Sequence, residues 1–373
     1  MKVLWITNWY PSAEAPHRSP FIRSQWLAAR GAGVDADLLH VDVLTGPWWP
    51  QVAWRRGPHG EYVLRVAWRG WKLLYHLPWL VAAYVARNFP GPKPQIVHGQ
   101  VLLPAGITAA SLANRWRLPL VHTEHWNIAP AKLRSPFWGF WGRRALRSAR
   151  AILPVSDHLS SQLAELLPQV PLITVPNVMD WTRFAYRPTA TQPEASEFSV
   201  LSVAHLIPVN RFIKKTEWTL DALAELTRRH PEVRWKYVHV GGGPRETELA
   251  AYAARLGVDA QWLGNGAPGA WADLVVDVLA HPTVDETFGM VVYEALHRGI
   301  PVVATDIPAF RPWLAPPMGL RVPQGSGPLA DALEAMWRSP LRVPADALPY
   351  KKFEAAQVGS RLKEVYEQVR ATS

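Results

Sequence analysis

Two glutamates, Glu286 and Glu294, stand either side of seven residues in the run Asp285-Glu-Thr-Phe-Gly-Met-Val-Val-Tyr-Glu-Ala-Leu-His-Arg298. Carboxylates at this separation can each accept hydrogen bonds from ligand hydroxyls, and one can favour a cationic centre. The pattern puts Glu286 at the mouth of a crevice and Glu294 two helical turns further along. A plainer reading of the same residues is open. Glu294, His297 and Arg298 fall at i, i+3 and i+4, the spacing of a solvated stripe with a Glu–Arg pair. An acidic residue at the head of a helix is also an ordinary dipole partner.

The elements that must position these carboxylates can be read around them. Val275 to Ala280 reads as a buried strand, Thr283 to Gly289 as a loop and Met290 to Arg298 as a helix. Gly299 caps that helix and Pro301 prevents its continuation. Val302-Val303-Ala304 then starts another strand, so the segment is one unit of a parallel sheet. Such sheets bind ligands beyond the carboxyl ends of their strands, where helix N-termini offer free N–H groups to phosphate. Phe288, Gly289 and Met290 lie at such a helix start. A second candidate is Gly241-Gly242-Gly243, after the strand Lys236–Val240 and before Pro244, a good first helical residue. Glycines there either let a ligand approach the backbone or simply make a tight turn.

Several blocks carry a family likeness. Asp277-Val-Leu-Ala-His-Pro-Thr283, Glu286-Thr-Phe-Gly289, Glu294-Ala-Leu296 and Gly299-Ile-Pro-Val-Val-Ala304 resemble the donor-site signature of family 4 retaining glycosyltransferases of the GT-B fold. Asn8-Trp-Tyr-Pro11, with Phe21 and Gln25, is similar to the opening of bacterial members that build cell-surface polysaccharides. Val97-His98 with Leu102-Leu-Pro-Ala-Gly106, and Val121-His-Thr-Glu-His125, resemble the next two blocks. Pro176-Asn177, Asp180 and Phe184 match the P-N-x-x-D-x-x-x-F linker entry. Val238-His-Val-Gly-Gly-Gly-Pro244 and Trp262-Leu-Gly264 match the glycine loop and the base-contacting loop. The blocks keep the family's order along most of the chain.

The resemblance implies an α/β fold with two Rossmann-like doubly wound domains facing a cleft, and a C-terminal helix returning to the first. It implies transfer of a sugar from a nucleoside-diphosphate sugar, UDP or GDP type, to a glycan or lipid-linked acceptor, with no cofactor and no metal. Glu286 would hold sugar hydroxyls and favour the cationic sugar, Glu294 would accept from the ribose, and His125 would either face the reacting centre or be a satisfied structural histidine. Gly242, Gly243, Phe288, Gly289 and Met290 would line the donor. The family supplies an Arg and, five residues on, a Lys for the diphosphate. Here His205 takes the arginine slot, and an insertion around Val209–Ile213 brings Lys214 or Lys215 to the lysine slot. A neutral histidine holds phosphate less well than a bidentate arginine. Two further departures are Ser19-Pro20 for a glycine before Phe21, and Ile307-Pro308-Ala309 for a Gly-Gly pair. Two alternatives stay open: a catalytically silent homologue acting as a binding protein, and a sugar-nucleotide epimerase.

Residues 1–175 read as the acceptor-side domain, 176–197 as a linker, 198–349 as the donor domain and 350–373 as the returning helix. Early strands are expected at Val3–Thr7, Asp37–His40, Gln95–His98, Leu120–Thr123, Ala151–Val155 and Ile173–Val175, and Asp35-Ala-Asp37 on the approach to one of them. The chain of 373 residues is 49% hydrophobic and 19% charged and has no cysteine, which excludes disulfides and thiolate metal sites. Val3–Ile6 is too short for a signal-peptide core.

The net charge of +10 lies wholly in residues 1–180, with 19 basic and 9 acidic side chains, and 13 of the 20 tryptophans lie there too. Trp48, Trp49, Trp54-Arg55-Arg56, Trp68-Arg69 and Trp71-Lys72 interleave aromatic and basic groups. Residues 48–85 are therefore expected to meet an anionic membrane surface without crossing it. Nucleic acid is not expected, since no reading helix or sheet motif organises the basic residues. The expected location is cytoplasmic, peripheral on the inner face of the cytoplasmic membrane.

Overall fold

The computed structural model describes residues 1–12, 19–47, 50–69, 76–188, 192–208, 213–266 and 269–372. Trp48, Trp49, Trp71 and Lys72 of the tryptophan-rich run, and Val209 to Phe212 of the insertion, lie outside the described residues. The chain divides into two compact units: Met1–Val178 with Lys351–Ser373, and Met179–Tyr350.

The first unit is built on strands β1 (Lys2–Thr7), β2 (Asp35–Leu44), β3 (Gln51–Arg56), β4 (Tyr62–Ala67), β5 (Ile96–Gln100), β6 (Leu120–Glu124) and β7 (Ala149–Pro154). Their order in the sheet is β3-β4-β2-β1-β5-β6-β7, with β3 antiparallel to β4 and the other pairs parallel. β1, β5 and β6 are buried almost throughout, as near-continuous apolar runs in a covered parallel sheet should be. Helices α1 (Pro20–Gly31), α2 (Leu77–Asn88), α3 (Ile107–Trp116), α4 (Ala129–Arg134), α5 (Pro136–Arg147) and α6 (Asp157–Leu166) cover it.

Three expectations are corrected here. β3 and β4 form a hairpin where no strand was expected, and Trp54 packs against Tyr84 and Phe89. Residues 173–175 are no strand of the sheet, although Ile173 and Val175 donate to Ile152 and Pro154 of β7. Asp35 and Asp37 lie inside β2, and both pair with Lys2, at 2.9 and 3.2 Å.

The second unit holds β8 (Glu197–Val203), β9 (Arg234–Val240), β10 (Asp259–Trp262), β11 (Val278–His281), β12 (Val302–Thr305) and β13 (Gly319–Val322). All pairs are parallel, in the order β10-β9-β8-β11-β12-β13. The chain winds outward from β8 in one direction, then restarts beside it at β11 and winds the other way. The switch point therefore lies between β8 and β11, where the two following loops diverge and leave a crevice. Helices α7 (Thr216–Arg229), α8 (Glu246–Leu256), α9 (Met290–Arg298) and α10 (Ser326–Arg338) alternate with the strands. Val275, expected inside β11, is 92% exposed, and the strand begins three residues later.

Residues 179–188 and 192–197 are folded onto this unit. Phe184 is buried in its core, Tyr186 donates to the Val343 carbonyl at 2.7 Å, and the Trp337 indole donates to Ala195 at 2.8 Å. Helix α11 (Ala355–Ala371) belongs to the first unit, where Val358, Leu362, Val365, Tyr366 and Val369 join the core that contains β1 and α1. Among the described residues no helix is long and apolar enough to cross a membrane.

Candidate functional site

The loop after β11 carries Glu286 to the switch point, and a second segment is bonded to that loop from below. Lys215 N–H donates to the Pro282 carbonyl at 2.8 Å, Val284 N–H donates to Ile213 at 3.0 Å, and Lys214 and Thr283 form an isolated bridge. These backbone bonds aim Lys214 at the carboxylate. The Lys214 ammonium donates to Glu286 Oε2, and His281 Nε2, at the end of β11, lies 3.4 Å from both groups. Glu286 Oε1 accepts from Thr287 N–H at 3.1 Å. Burial raises the Glu286 pKa, but Lys214 and His281 outweigh it and hold the carboxyl well below the usual range. His281 is buried, and desolvation and Lys214 lower its pKa against the pull of Glu286. The result is an ionised carboxylate beside a cation, at the crevice.

Glu294 is in a different state. It lies on α9, half-buried, and among the described residues no hydrogen bond or ion pair satisfies it. Desolvation raises its pKa to about 7, with Arg183 opposing. The stripe reading is not what forms. Arg298 is buried and turns away from Glu294 to donate to the carbonyls of Ala272, at 2.7 Å, and Arg187. His297 Nδ1 donates to Phe184 O at 2.7 Å and stacks on Trp181 at 4.5 Å. A helix that spends its last two polar residues on its own unit leaves Glu294 as the carboxyl still seeking donors.

Gly289 sets the entry to α9. Its φ of 78° is left-handed, and a Cβ there would stand 2.8 Å from the Phe310 ring. The amides of Met290 and Val291 precede the first helical bond, which Val292 N–H makes to Gly289 O at 2.9 Å. Phe288 is buried against Tyr293, their ring centres 5.0 Å apart.

The glycine loop has a packing reason of its own. At Gly241, φ is 117° and a Cβ would lie 2.1 Å from the Ala204 carbonyl oxygen, so this loop must be glycine to rest on the loop after β8. Gly242 N–H donates to Asn265 Oδ1 at 2.7 Å, and Leu206 N–H donates to Gly242 O at 3.0 Å. Gly243, also at positive φ, packs on Leu206. His205 is exposed at the same place, its Nδ1 3.2 Å from Asn265 Oδ1. The alternative left open between Lys214 and Lys215 separates cleanly in space. Lys214 joins Glu286, while the Lys215 ammonium lies over the Trp218 ring, 5.5 Å from its centre.

His125 belongs to the first unit, just after β6. It is buried, with Nδ1 3.1 Å from Asn177 Oδ1 and Nε2 3.0 Å from Gln100 Oε1. Desolvation lowers its pKa to about 3, against the Asn177 hydrogen bond, so the ring is neutral. Gln100 Nε2 also approaches His98 Nε2 at 3.1 Å, and His98 Nδ1 lies 2.6 Å from the Tyr366 hydroxyl of α11. A buried polar chain thus runs from α11 to His125. Beside it the fully buried Glu124 accepts from the N–H groups of Leu102, His125 and Trp126 at 2.9, 3.0 and 2.9 Å.

Two family models match the chain in succession: Glycosyltransferase Family 4 over residues 24–183 and Glycosyl transferases group 1 over residues 198–339. The chain belongs to the family 4-like glycosyltransferases of the GT-B fold. The transferase is 29% identical over 248 residues to a D-inositol 3-phosphate glycosyltransferase of Nocardia farcinica, a match to 60% of this chain and 53% of that protein. It thus spans about half that relative's length. It is 23% identical to TuaC of Bacillus subtilis, described as a teichuronic acid biosynthesis glycosyltransferase, over 100% of both chains. Among solved structures, sucrose-phosphate synthase from Thermosynechococcus elongatus superposes with a TM-score of 0.74 at 19% identity, covering 100% of both chains. Anabaena HepE in complex with UDP-glucose gives 0.70 at 18% identity, covering 99% of this chain and 100% of that one.

Sequence reasoning missed His281. The signal that could have found it is its place as the last residue of β11, directly at the switch point.

Proposed function

We propose that the transferase moves a sugar, with retention at the anomeric carbon, from a UDP- or GDP-type donor to a glycan or lipid-linked acceptor of a cell-surface polysaccharide. One observation carries this reading: at the switch-point crevice of the second unit an ionised Glu286 is held by Lys214 and His281, while on the adjoining helix Glu294 is unsatisfied. The full-length likeness to TuaC supports the polysaccharide setting, and the likeness to HepE with UDP-glucose supports the donor class.

The chemistry follows from these groups. As the bond between the anomeric carbon and the diphosphate oxygen breaks, negative charge gathers on the diphosphate. Lys214 and the amides of Met290 and Val291 stabilise it there, supplying positive charge without a metal. Glu286 accepts from sugar hydroxyls and favours the cationic sugar. The acceptor hydroxyl attacks on the face the diphosphate leaves, and its proton passes to the departing phosphate oxygen. Glu294 accepts hydrogen bonds from the ribose, which supplies the donors the protein withholds. His125, neutral and anchored by two amides, can bind a hydroxyl only by releasing Gln100 or Asn177.

Incubation with a panel of UDP- and GDP-sugars, followed by NMR of the products, tests this. Slow release of free sugar with its anomeric configuration kept, abolished by Glu286→Gln, is expected. An isomerised donor would establish the epimerase instead, and an untouched panel the silent homologue.

A further inference from the structure

At the amino-terminal ends of β6 and β7, the sheet edge opposite His125, helices α3 and α5 flank an open cavity of about 900 Å³. Trp79 of α2 and Phe140 and Trp141 of α5 form its aromatic wall, and the Trp79 and Trp141 rings meet edge-on at 4.9 Å. Arg117, Arg143, Arg144 and Arg147 line the rest. A neighbouring cavity of about 370 Å³ shares Arg117 and Arg147 and adds Arg150. Among the described residues no acidic side chain lines either cavity.

Arg143 donates to the Leu133 carbonyl. Among the described residues the guanidinium groups of Arg117, Arg144, Arg147 and Arg150 make no hydrogen bond or ion pair. Four guanidinium groups drawn together without a carboxylate repel one another, so the site favours an oxyanion that the protein itself does not provide.

The occupant is narrowed by what adjoins the arginines. Helix α5 buries Gly139, Gly142, Ala145 and Leu146 and turns Phe137, Phe140, Trp141, Arg144 and Arg147 to the opposite face. Phe137 is 45% and Phe140 57% exposed, and Leu80, next to Trp79, is 51% exposed. Exposed aromatics at one end of a helix face and unpaired arginines at the other fit an interface that is apolar on one side and phosphate-bearing on the other. A free anion would use the arginines and leave the three apolar side chains in water.

We propose that this face docks on a bilayer containing anionic phospholipid. Arg117, Arg144, Arg147 and Arg150 take the headgroup phosphates, and Phe137, Phe140 and Leu80 enter the boundary with the acyl chains. Among the described residues of the expected membrane stretch 48–85, Trp79 and Leu80 take part, while Trp54 is committed to packing on Tyr84 and Phe89. The inference stands apart from the donor chemistry, which lies in the other unit.

Sedimentation of the whole chain with vesicles of phosphatidylcholine, alone or mixed with phosphatidylglycerol, tests it, with inorganic pyrophosphate as the soluble comparison. Binding to the mixed vesicles is expected. Loss of two arginines in Arg144→Gln/Arg147→Gln should weaken it by roughly 30-fold, at about fivefold per charge. Phe137→Ser/Phe140→Ser should weaken it comparably at unchanged charge. Both pairs are at the surface, and circular dichroism with nucleotide binding verifies that each variant is folded. Absence of binding to the mixed vesicles overturns the proposal. So does equal binding by both folded double variants, or arginine-dependent pyrophosphate binding without vesicle binding, which would make this a soluble-anion pocket.

Discussion

Glu294 should make the empty protein less stable as the pH rises through neutrality, and Glu294→Gln should abolish that loss. A carboxyl whose folded pKa stands near 7, raised from 4.5 by desolvation, binds its proton more tightly in the folded chain than in the unfolded one. Its contribution is fully present below pH 4.5 and is lost as the pH rises toward 7. At about 1.4 kcal/mol per unit, the shift amounts to at most about 3 kcal/mol. Partial exposure to solvent reduces that, so roughly 1–3 kcal/mol is expected. Buried histidines titrate in the opposite sense. His125 and His239, lowered to about 3 and about 4, weaken the fold as the pH drops below 6.5. The informative quantity is therefore the difference between variant and wild type, in which the histidines cancel. Thermal unfolding at pH 5, 6, 7 and 8 should give near-equal midpoints at pH 5. At pH 8 the glutamine variant should lead by about 2–4 °C for each kcal/mol. Adding UDP should narrow the gap, because ribose hydroxyls satisfy the ionised wild type and not the amide. Midpoints that stay parallel across the whole range would refute the reasoning.

Replacing Lys214 by Met should slow donor turnover by about 100- to 1,000-fold, as loss of a charge-stabilising donor does. The same change should cost about 1–3 kcal/mol of stability by leaving Glu286 without its ammonium, and single-turnover kinetics with urea unfolding measures both. Gly289→Ala forces a Cβ into Phe310 at a left-handed φ and should cost roughly 1–3 kcal/mol, read from the unfolding midpoint. Tyr366→Phe removes the hydroxyl that meets His98 Nδ1 and should cost about 1–2 kcal/mol, with a changed His98 ring signal by NMR.

The two-carboxylate block was readable because local rules agree there. Gly299 ends α9 at a φ of 91°, and Gly257 ends α8 at 72°, so both helices carry visible stops. The hairpin β3–β4 was also written locally: Tyr62, Leu64 and Val66 are buried while Val63, Arg65 and Ala67 are half-buried. That period of two was overshadowed by the alternation of tryptophan with arginine, which reads as an amphiphilic surface. Local rules could not choose between Lys214 and Lys215. The meeting of Lys214 with Glu286 depends on backbone bonds between segments some seventy residues apart, and no spacing rule reports those. The purpose of the glycine loop was half legible. Glycine was foreseeable at Gly241, but the neighbour that demands it, the Ala204 carbonyl, is known only from the folded sheet.

The first unit is discontinuous: everything from Met179 to Tyr350 is translated between α6 and α11. While the ribosome is still at work, β1 and α1 lack Val358, Leu362, Val365 and Val369, and His98 lacks the Tyr366 phenol. The second unit, being contiguous, can close first, although the first begins emerging earlier. A chain interrupted before Ala355 would carry a complete second unit tethered to an unfinished neighbour with bare apolar surface, which is a target for chaperones and proteases.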